Sequence, residues 1–548
     1  MKILFINPSS MPYKEQEDFL NKSSILRVPS FSMPIGLMDM SAYLRKSCED
    51  VEIKILDIGK DLYSVYRDRE NTLAMSLPEF VKERLNTVDF KPDITGISIS
   101  FSSAHKVSML IAEMVKKKWQ ETIVLCGGNH ATNSCKQILK NPAINYVVKG
   151  EGELSFAEFV KKMQHGEKDI KVQGIIDREK LNNEGSGELS HMIQDLDELP
   201  FPAFDLLDLE FYRETIGGSL MFSRGCSFLC TFCASHTVHG RKLRFKSEQR
   251  ICEEFKYLID EHKFSQIVIE DDLFAARKDK FLRIAAKLAK SYGSTKFLMP
   301  QGLSMAILDE EIIDAMINMG IDEAAVAIES GSEYVQKNII KKNVSLPKAR
   351  EVLKCLRGKE FFFYVNFILG FPGETRKLME ETIDFIRTLD VDWIYIFNAL
   401  PLPGSEIFEQ FTSMGVIDPD NFDWDGMRLG RRVFDAPEIT AEGLEKLVYD
   451  TNIECNFFNN SNLKHGRYDR AIKIFNRFIL DLYPFHIVGR YCRALAYLGK
   501  GEKRKAEVDF KKCIDWIQTN DESKRLFDRY GNKMVHLKQY GSNGVRGI

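Results

Sequence analysis

The first 165 residues alternate short apolar runs with amphipathic stretches. The apolar runs are KILFINP, VEIKILDIG, DITGISIS, TIVLCGGNH and YVVKGEGE, and segments of helical periodicity, such as GLMDMSAYLRK and KVSMLIAEMVKKKW, lie between them. A strand followed by a helix at this rhythm is typical of a parallel, doubly wound sheet. The pattern therefore predicts an α/β chain whose residues 1–165 form a Rossmann-like domain.

In such sheets, ligands bind beyond the carboxyl ends of the strands. The predicted strand ends carry mostly small or polar residues, namely Asn7, Pro8, Ser98, Ser100, Gly127, Gly128, His130, Gly150, Glu151, Gly152 and Glu153. Glycines there let a ligand approach the backbone, although turn chemistry alone explains any one of them equally well. A loop histidine such as His130 either borders a ligand or only makes hydrogen bonds at the surface.

Residues 166–215 lose this alternation. They contain NNEGSGELS and DELPFPAFDLLD, which are rich in Gly, Asn, Ser and Pro, and we interpret them as a linker. Over residues 216–420 the alternation returns, with strands predicted in SLMFSRG, QIVIEDD, KFLMPQG, EAAVAIES, FYVNFILG and WIYIFNALP. Six such units make an incomplete (β/α)6 barrel, a fold in which chemistry collects at the carboxyl ends of the strands.

Residues 421–548 are predicted to form an all-α domain with an internal repeat. Four residues recur 35 positions later: Leu463, Gly466, Ala471 and Phe475 match Leu498, Gly501, Ala506 and Phe510. This resembles tetratricopeptide helix pairs, whose period is about 34 residues. An ordinary helical cap is the alternative. The aromatic stretch at 421–434 could close over a substrate or pack between the two domains.

Composition excludes several classes of protein. Lys and Arg total 76 against 79 Asp and Glu, a net charge of −3, which argues against a nucleic-acid partner. The apolar run FFFYVNFILGF is far shorter than a membrane span, and the run after Met1 is too short for a secretory signal. Eleven scattered cysteines fit a reducing compartment, so we expect a soluble, cytoplasmic protein without a membrane span.

Three cysteines, Cys226, Cys230 and Cys233, lie within SRGCSFLCTFC after the first barrel strand. A [4Fe-4S] cluster would take one thiolate on each of three irons and leave the fourth iron open. A structural zinc is the alternative, with His236 or His239 as fourth ligand. Structural zinc sites usually pair two short ligand motifs, and no second CxxC follows, so the spacing favours the cluster.

CSFLCTFC resembles the signature of the radical S-adenosylmethionine superfamily. The likeness continues in order through IEDDLF, GLSMAILDEEII, AIESGSEYVQK, FILGFPGET and PLPGSEIF. The N-terminal region is similar to the cobalamin-binding domain that precedes this barrel in one branch, on INPSS, MPIGLMDMSAYL, DITGISIS, VLCGGNHAT and VVKGEGELSF. Together the two resemblances cover about residues 1 to 420.

The resemblance implies three cofactors: a [4Fe-4S] cluster on the three cysteines, S-adenosylmethionine and cobalamin. It assigns the strand-end residues of the first domain to cobalamin. It assigns seven others to S-adenosylmethionine: Phe232, Asp271, Asp272, Gln301, Glu329, Ser330 and Asn366. From the residues alone, Glu329 could instead favour a helix N-terminus, one of the two aspartates could be structural, and Asn366 could be satisfied by backbone.

Two features depart from the pattern. The DxHxxG loop, whose histidine replaces the lower cobalt ligand, does not occur in residues 1–165. Many radical relatives also lack it, so its absence indicates a cobalt without a histidine below it. In the third strand, where many relatives have an arginine, this chain has Pro300 to Leu303, which puts one contact to S-adenosylmethionine in doubt.

The resemblance implies an enzyme that cleaves S-adenosylmethionine to a 5′-deoxyadenosyl radical and methylates an unactivated carbon of a small molecule or peptide. A rearrangement, cyclisation or oxidation without methyl transfer is one alternative, and a non-catalytic scaffold with a docking tail is another. The expected partners are a reducing donor such as flavodoxin or ferredoxin, the substrate, and a protein docked on the tail. A transfer-RNA methylthiotransferase is disfavoured, since its characteristic cysteine-bearing and RNA-binding domains are not seen.

Overall fold

The computed structural model describes residues 1–23, 29–167, 169–185, 187–293, 295–298, 303–426 and 431–540. The N-terminal region builds one sheet from the strands β1 (Lys2–Asn7), β2 (Glu52–Asp57), β3 (Ile94–Ser98), β4 (Ile123–Gly127), β5 (Tyr146–Val148) and β6 (Ile175–Ile176). Its order is β2-β1-β3-β4-β5-β6, parallel throughout except for the antiparallel pairing of β6 with β5.

Helices cover both faces of this N-terminal sheet. They are α1 (Tyr13–Leu20), α2 (Ile35–Ser47), α3 (Ile58–Arg67), α4 (Leu77–Asn86), α5 (His105–Lys118), α6 (Asn129–Asn133), α7 (Cys135–Leu139), α8 (Glu153–Gln164) and α9 (Arg178–Glu184). Side chains alternate across β1, so Ile3 and Phe5 join the core that includes α2 and α8, whereas Leu4 and Ile6 join the core that includes α4 and α5. This sheet is therefore doubly wound, as the alternation predicts.

The order in which strands are added to this sheet changes side at β1, which pairs in parallel with β2 on one side and with β3 on the other. Between β1 and β3 the crossover helices leave in opposite directions, which opens a crevice at the carboxyl ends of the two strands. Asn7 and Ser98 end these strands. The crevice therefore lies where a ligand is expected.

The predicted linker, residues 166–215, packs against the first domain. It supplies β6, α9 and the helix α10 (Leu209–Glu214). Tyr212 on α10 is fully buried, and its hydroxyl donates to Asp57 at the end of β2. Asn7 Nδ2 donates to the same carboxylate at 3.0 Å. This segment therefore helps to fix the ends of β1 and β2 at the crevice through the carboxylate of Asp57.

The central region contains a strand in each of the six predicted strand segments. Its strands are β7 (Gly218–Leu220), β8 (Ser223–Arg224), β9 (Arg244–Phe245), β10 (Gln266–Ile269), β11 (Lys296–Leu298), β12 (Leu303–Ser304), β13 (Glu323–Glu329), β14 (Phe362–Leu369) and β15 (Trp393–Asn398). They form two parallel sheets, ordered β11-β10-β7 and β12-β13-β14-β15, and an antiparallel ribbon of β8 and β9 that the pattern did not predict.

The helices of the central region are α11 (His236–His239), α12 (Glu248–Lys256), α13 (Lys278–Tyr292), α14 (Glu310–Met319), α15 (Leu346–Arg357), α16 (Arg376–Arg387) and α17 (Glu406–Ser413). One apolar core joins both sheets to the helices α12 to α16, with Ile267 and Ile269 of β10 and Val365 and Phe367 of β14 among its members.

The C-terminal tail is helical. It comprises α18 (Ala441–Ile453), α19 (Ser461–Lys464), α20 (Tyr468–Phe475), α21 (Ile487–Gly499), α22 (Lys503–Thr519), α23 (Asp521–Tyr530) and α24 (Leu537–Tyr540). Ala471 and Ala506, one repeat apart, are both fully buried, and Gly466 and Gly501 turn with φ of +69° and +80°. The two units thus place matching residues in matching positions. In the part of the chain that is described, no helix has the length and apolar character to cross a membrane.

The tail also covers the edge of the second central sheet. Asn452 and Asn456 on the tail side bond both the amide and the carbonyl of Ile396 and Ile394, respectively. Edge strands expose unpaired backbone groups, and these amide side chains satisfy them. The tail is therefore joined to β15 by specific hydrogen bonds in addition to apolar packing.

Candidate functional site

A cavity of about 400 Å³ lies between the N-terminal sheet and the central region. The sheet contributes the crevice residues Asn7, Pro8, Ser98 and Ser100 to its wall. The central region contributes Met221, Ser223, Arg224, Ser235, His239, Glu270 and Asp272. The carboxyl ends of strands from two domains thus face one space.

A second cavity, of about 280 Å³, continues from the first into the N-terminal domain. The two share Gly36, Ser98, Arg224 and other wall residues. The wall of the second cavity combines apolar side chains with glycines. The apolar side chains are those of Phe5, Leu125, Val148 and Phe156, and the glycines are Gly127, Gly128, Gly150 and Gly152. We call the two cavities together the chamber, and the second cavity, which extends beside the N-terminal sheet, the slot.

Glycine is required at Gly128, and a side chain at Gly152 would need Met40 to move. Gly128 has φ +100°, and a Cβ there would lie 2.8 Å from the carbonyl of Ile99. A Cβ at Gly152 would lie 2.4 Å from the methyl carbon of Met40. The backbone is therefore the surface that this part of the site offers to a ligand.

Of the residues predicted at the first domain's strand ends, ten line one or both cavities: Asn7, Pro8, Ser98, Ser100, Gly127, Gly128, Gly150, Glu151, Gly152 and Glu153. His130 is not among the wall residues of either cavity. Its ring is buried, lies 2.8 Å from His105 Nδ1 and 2.9 Å from the Ser102 hydroxyl, and packs edge-on against Trp424. Burial lowers its pKa to about 3 and that of His105 to about 4.

Trp424 belongs to the aromatic stretch at 421–434. Its ring stacks on Phe408 of α17 and meets His105 at 5.6 Å as well as His130. The described part of the stretch therefore packs between the N-terminal sheet and the central region. Residues 427–430, which include Arg428, lie outside the described residues.

A buried charge network, which the sequence reasoning missed, joins the first domain to the cysteine loop. Arg224 lies two residues before Cys226. It pairs with Asp39 of α2 at 2.9 Å, with Glu153 at 2.8 Å and with Glu151 at 3.4 Å. All four side chains are at most 6% exposed. Residues more than 180 positions apart, such as Asp39 and Arg224, meet here, so no local pattern indicated the contact.

Glu151 is the most heavily bonded member of this network. It accepts hydrogen bonds from Arg244 and from His239 Nδ1, the latter at 2.8 Å. Burial alone would raise the pKa of Glu151, but these hydrogen bonds and the charge of Arg224 outweigh burial and lower the pKa to about 2. Glu151 therefore lines the cavity as an ionised, paired group.

The cysteine loop holds three free, half-buried thiols, those of Cys226, Cys230 and Cys233. The loop is anchored through Thr231, whose amide and hydroxyl donate to Ile340 and Ile339 at 3.1 and 2.9 Å. Burial raises the pKa of all three thiols, that of Cys230 to about 12. Burial therefore favours the protonated form of these thiols.

One buried cation lies close to these thiols. Lys342 lowers the pKa of each cysteine against the larger effect of burial, and its ammonium bonds Glu329 at 2.7 Å. Glu329 ends β13 with φ of +73°, an uncommon conformation for a residue with a side chain. Lys342 was missed from the sequence because one lysine in KKNV carries no distinguishing pattern.

The remaining residues predicted at the S-adenosylmethionine site lie in different settings. Phe232 packs on Phe371 with ring centroids 5.8 Å apart and lies under the ammonium of Lys342. Ser330 shares a 2.9 Å hydrogen bond with Thr382. The buried Oδ1 of Asn366 has no hydrogen-bond partner among the described residues. Gln301 lies outside the described residues.

The two aspartates after β10 have separate roles. Asp271 is buried and accepts hydrogen bonds from the amides of Phe222 and Ser223, at 2.9 and 2.6 Å, so it fixes the strand that leads into the cysteine loop. Burial raises its pKa to about 7. Asp272 lines the larger cavity and accepts a hydrogen bond from Ser235.

The residues present fit the implied cofactors. Three free thiols on one anchored loop, with a buried lysine beside them, suit a cluster held at three irons. His239, a candidate zinc ligand, bonds Glu151. The chamber and its glycine slot suit a broad cofactor with an extended tail.

The family model of the radical SAM superfamily matches residues 220–386, and that of the B12 binding domain matches residues 25–160. Cytidylyl-2-hydroxyethylphosphonate methyltransferase from Streptomyces wedmorensis is 28% identical over 463 residues, covering 76% of this chain and 83% of that protein. An uncharacterized methyltransferase from Pyrococcus horikoshii is 28% identical over 455 residues, covering 82% and 91%.

Two solved structures share the fold. The cobalamin-dependent S-adenosylmethionine radical enzyme OxsB, with aqua-cobalamin and S-adenosylmethionine bound, aligns with a TM-score of 0.63 at 15% identity, covering 99% of this chain and 84% of its own. The radical S-adenosylmethionine methyltransferase TsrM from Kitasatospora setae, with cobalamin and a [4Fe-4S] cluster bound, gives 0.56 at 14% identity, covering 75% of each chain.

The two matched regions and the three-cysteine loop thus indicate an enzyme that is similar to radical S-adenosylmethionine enzymes and carries a region matching the B12 binding domain. The predicted cofactors, a [4Fe-4S] cluster, S-adenosylmethionine and cobalamin, are confirmed by these two domains. Enzymes of this class need a reductant and a substrate.

Proposed function

We propose that the chain is a cobalamin-dependent radical methyltransferase that adds a methyl group to an unactivated carbon of a small molecule or peptide. The observation that carries the proposal is the chamber itself, whose walls come from the crevice of the N-terminal sheet and from the strand ends beside the cysteine loop. Both 28% identical relatives are named methyltransferases, which supports the same reaction class.

Each cofactor has a set of residues that would hold it. Cys226, Cys230 and Cys233 would bind the cluster, and Lys342 with Glu329 would meet the carboxylate and amino groups of S-adenosylmethionine through opposite charges. The strand-end residues of the first domain, chiefly Gly127, Gly128, Gly150 and Gly152, would receive cobalamin through their backbone. When bound, these groups supply a 5′-deoxyadenosyl radical to remove hydrogen and a methyl group to replace it.

The chain's own residues orient the cofactors and limit access of water. Arg224 connects the loop of the cysteines with the loop of Glu151 and Glu153, and these ion pairs would fix the two cofactor sites relative to each other. Trp424, packed on His105 and His130, closes one side of the domain junction with apolar surface. A radical intermediate requires such a site, because water and bulk solutes would otherwise react with it.

The domain organisation follows the same proposal. Residues 1–165 would be the cobalamin domain, 166–215 the connecting segment, 216–420 an incomplete (β/α)6 barrel and 421–548 a tetratricopeptide-like tail that offers a partner surface. The matched burial of Ala471 and Ala506 supports the repeat. The reductant would be a small electron carrier such as flavodoxin or ferredoxin.

The test is anaerobic reconstitution of the full chain with iron, sulfide and hydroxocobalamin, followed by S-adenosylmethionine and dithionite. We expect 5′-deoxyadenosine, and S-adenosylhomocysteine beside it, by mass spectrometry. 5′-Deoxyadenosine without S-adenosylhomocysteine would indicate a radical reaction without methyl transfer. The absence of both products from protein with its full iron content would contradict an enzymatic role and leave the scaffold alternative.

A further inference from the structure

The cysteine loop reaches the protein surface at Leu229, the residue just before Cys230. The side chain of Leu229 is 55% exposed and lies in the wall of neither cavity, and Ser227 is also exposed. Arg224 and Ser235, which flank the loop in sequence, line the larger cavity instead. The loop therefore has an inner side that faces the chamber and an outer side that faces solvent.

A short helical segment, Val335–Ile339, adjoins the outer side of this loop. Thr231 donates hydrogen bonds to the carbonyls of its last residue and of Ile340, at 2.9 and 3.1 Å. Tyr334, which immediately precedes the segment, is 57% exposed. A single exposed apolar side chain needs no explanation, but Leu229 and Tyr334 lie on two adjoining segments next to the thiols. They give the outer side an apolar component.

The charged residues on the outer side are mainly cations. The guanidinium of Arg241 donates to the carbonyl of Phe228 at 2.5 Å, which holds it beside the exposed tip of the loop. Arg241, Lys242 and Lys337 are exposed, and none of the three forms an ion pair with an Asp or Glu side chain of the described chain. We call Leu229, Tyr334, Arg241, Lys242 and Lys337 together the outer face.

Acidic residues offset only part of this positive charge. Glu406 is already paired with Lys341 at 2.7 Å, and Glu333 is exposed beside Tyr334. The whole chain has 76 basic and 79 acidic residues, so a local excess of unpaired cations departs from the average composition. An apolar centre with cations around it is complementary to an acidic protein, because charge guides the encounter and apolar contact stabilises the complex.

We infer that the outer face is the docking site of the reductant, an acidic one-electron carrier protein with apolar surface around its redox group. The inference rests on the proposed function, because it requires a cluster on Cys226, Cys230 and Cys233. The carrier loses one electron, the cluster accepts it, and no atom is transferred. Since Leu229 adjoins Cys230 in the chain, a protein docked here comes close to the thiols and leaves the chamber to the other cofactors and the substrate.

The test uses flavodoxin as the probe and measures binding and turnover separately. Binding of oxidised flavodoxin to the anaerobic holoenzyme is followed by biolayer interferometry, and 5′-deoxyadenosine formation is followed with flavodoxin kept reduced by NADPH and its reductase. We expect the double variant Lys242→Glu, Lys337→Glu to bind flavodoxin at least about tenfold more weakly and to need a correspondingly higher concentration for half-maximal rate. Dithionite needs no docking site, so the rate that it supports should be unchanged.

Two further variants separate charge from position. The double variant Lys290→Glu, Lys354→Glu makes the same change of charge on exposed lysines in the last turns of α13 and α15. In a βα barrel these turns lie at the end opposite the strand carboxyl ends, so this control should bind flavodoxin like the wild type. Leu229→Ser should weaken binding at high salt as well as at low salt, whereas salt should reduce the difference between the wild type and the lysine variant.

Three results would overturn the inference. They are equal binding of flavodoxin by the wild type and the Lys242→Glu, Lys337→Glu variant, an equal loss of binding in the control variant, and a wild type that turns over with dithionite but not with reduced flavodoxin. The proposed function fails separately, through the absence of 5′-deoxyadenosine from the wild type with dithionite. Flavodoxin binding is measured without turnover and does not depend on that result.

Discussion

The sheet crevice and the cysteine loop border the same domain junction, but they present different chemical groups to a ligand. The crevice presents glycines and short neutral side chains, and Gly128 leaves no room for even a Cβ. The loop presents three thiols, and Lys342, Glu329 and Arg224 are buried close to it. One site therefore recognises its ligand through backbone and space, and the other through side chains and charge.

This difference has a consequence for mutation. In the cysteine loop, removing side-chain atoms should destroy the site, because the donors are the side chains. In the crevice, removing a side chain should matter little, whereas adding a single carbon should matter a great deal. The charge network of Arg224 lies between the two sites and links them.

The largest effect is expected at the thiols. Replacing Cys226, Cys230 or Cys233 by alanine should abolish iron binding at the cluster and 5′-deoxyadenosine formation, since a cluster held at two irons is not retained. Iron analysis and mass spectrometry measure both. Cys252→Ala removes a half-buried thiol of α12 and should leave both unchanged. Wild-type product formation by any of the three variants would show that the loop does not hold the cluster.

The next effect is expected at Arg224. Arg224→Met leaves Asp39, Glu151 and Glu153 buried with one fewer cation, which should cost about 3–5 kcal/mol of unfolding free energy. Urea denaturation of the apoprotein measures it. Arg283→Met breaks the exposed pair with Glu248 and should cost less than about 1 kcal/mol. Equal stability of the two variants would mean that the network does not join the domains.

A smaller effect, confined to one cofactor, is expected in the crevice. Gly128→Ala should cost about 1–3 kcal/mol through its positive φ and should weaken cobalamin binding, because the backbone at Ile99 must shift. Ser100→Ala, which removes atoms from the wall of both cavities, should bind cobalamin nearly as well as the wild type. Spectroscopic titration with hydroxocobalamin compares them, and the reverse order would contradict recognition through backbone.

The smallest effect is expected at the domain junction beneath Trp424. His130 is buried and neutral, with a pKa lowered to about 3 by burial, so the unfolded chain takes up a proton below about pH 6.5 that the folded chain does not. Stability should therefore fall from pH 6.5 towards pH 5 by up to about 1.4 kcal/mol per pH unit from this residue. Glu151, with a pKa of about 2, keeps its contribution in this window.

His130→Gln should flatten that dependence between pH 6.5 and 5, whereas His165→Gln, on the exposed surface, should leave it unchanged. Denaturation midpoints at pH 7, 6 and 5 measure both variants. An unchanged slope in His130→Gln would place the titrating group elsewhere.

Local sequence was sufficient for the elements and for the positions of the strand ends. The continuous apolar run in KILFIN and the helical periodicity in the segments between strands are properties of neighbouring residues, so they can be recognised without knowledge of the fold. The same holds for the cysteine spacing, because three donors within eight positions need only one loop to meet. Ten strand-end residues of the first domain reach the cavities for this reason.

Charge pairing was beyond local sequence. Asp39 and Arg224, Tyr212 and Asp57, and the tail's Asn456 with the backbone of Ile394 are far apart along the chain. A carboxylate in the sequence does not reveal whether it faces a cation, a hydroxyl or solvent. Asp271 and Asp272 are adjacent, yet the first is buried on backbone amides and the second lines the cavity.

The sequence by itself indicated the cofactors, because the cysteine spacing favoured a [4Fe-4S] cluster and the resemblance of its motifs to a known family implied S-adenosylmethionine and cobalamin. Tertiary structure decided which charged groups are neutralised and which still need a partner. Lys342 forms an ion pair with Glu329, and Arg224 forms ion pairs with three carboxylates. Among the described residues, Glu270 accepts a hydrogen bond from the hydroxyl of Ser219. The physical reason is that electrostatic energy depends on distance and burial, and both are set when remote segments pack together.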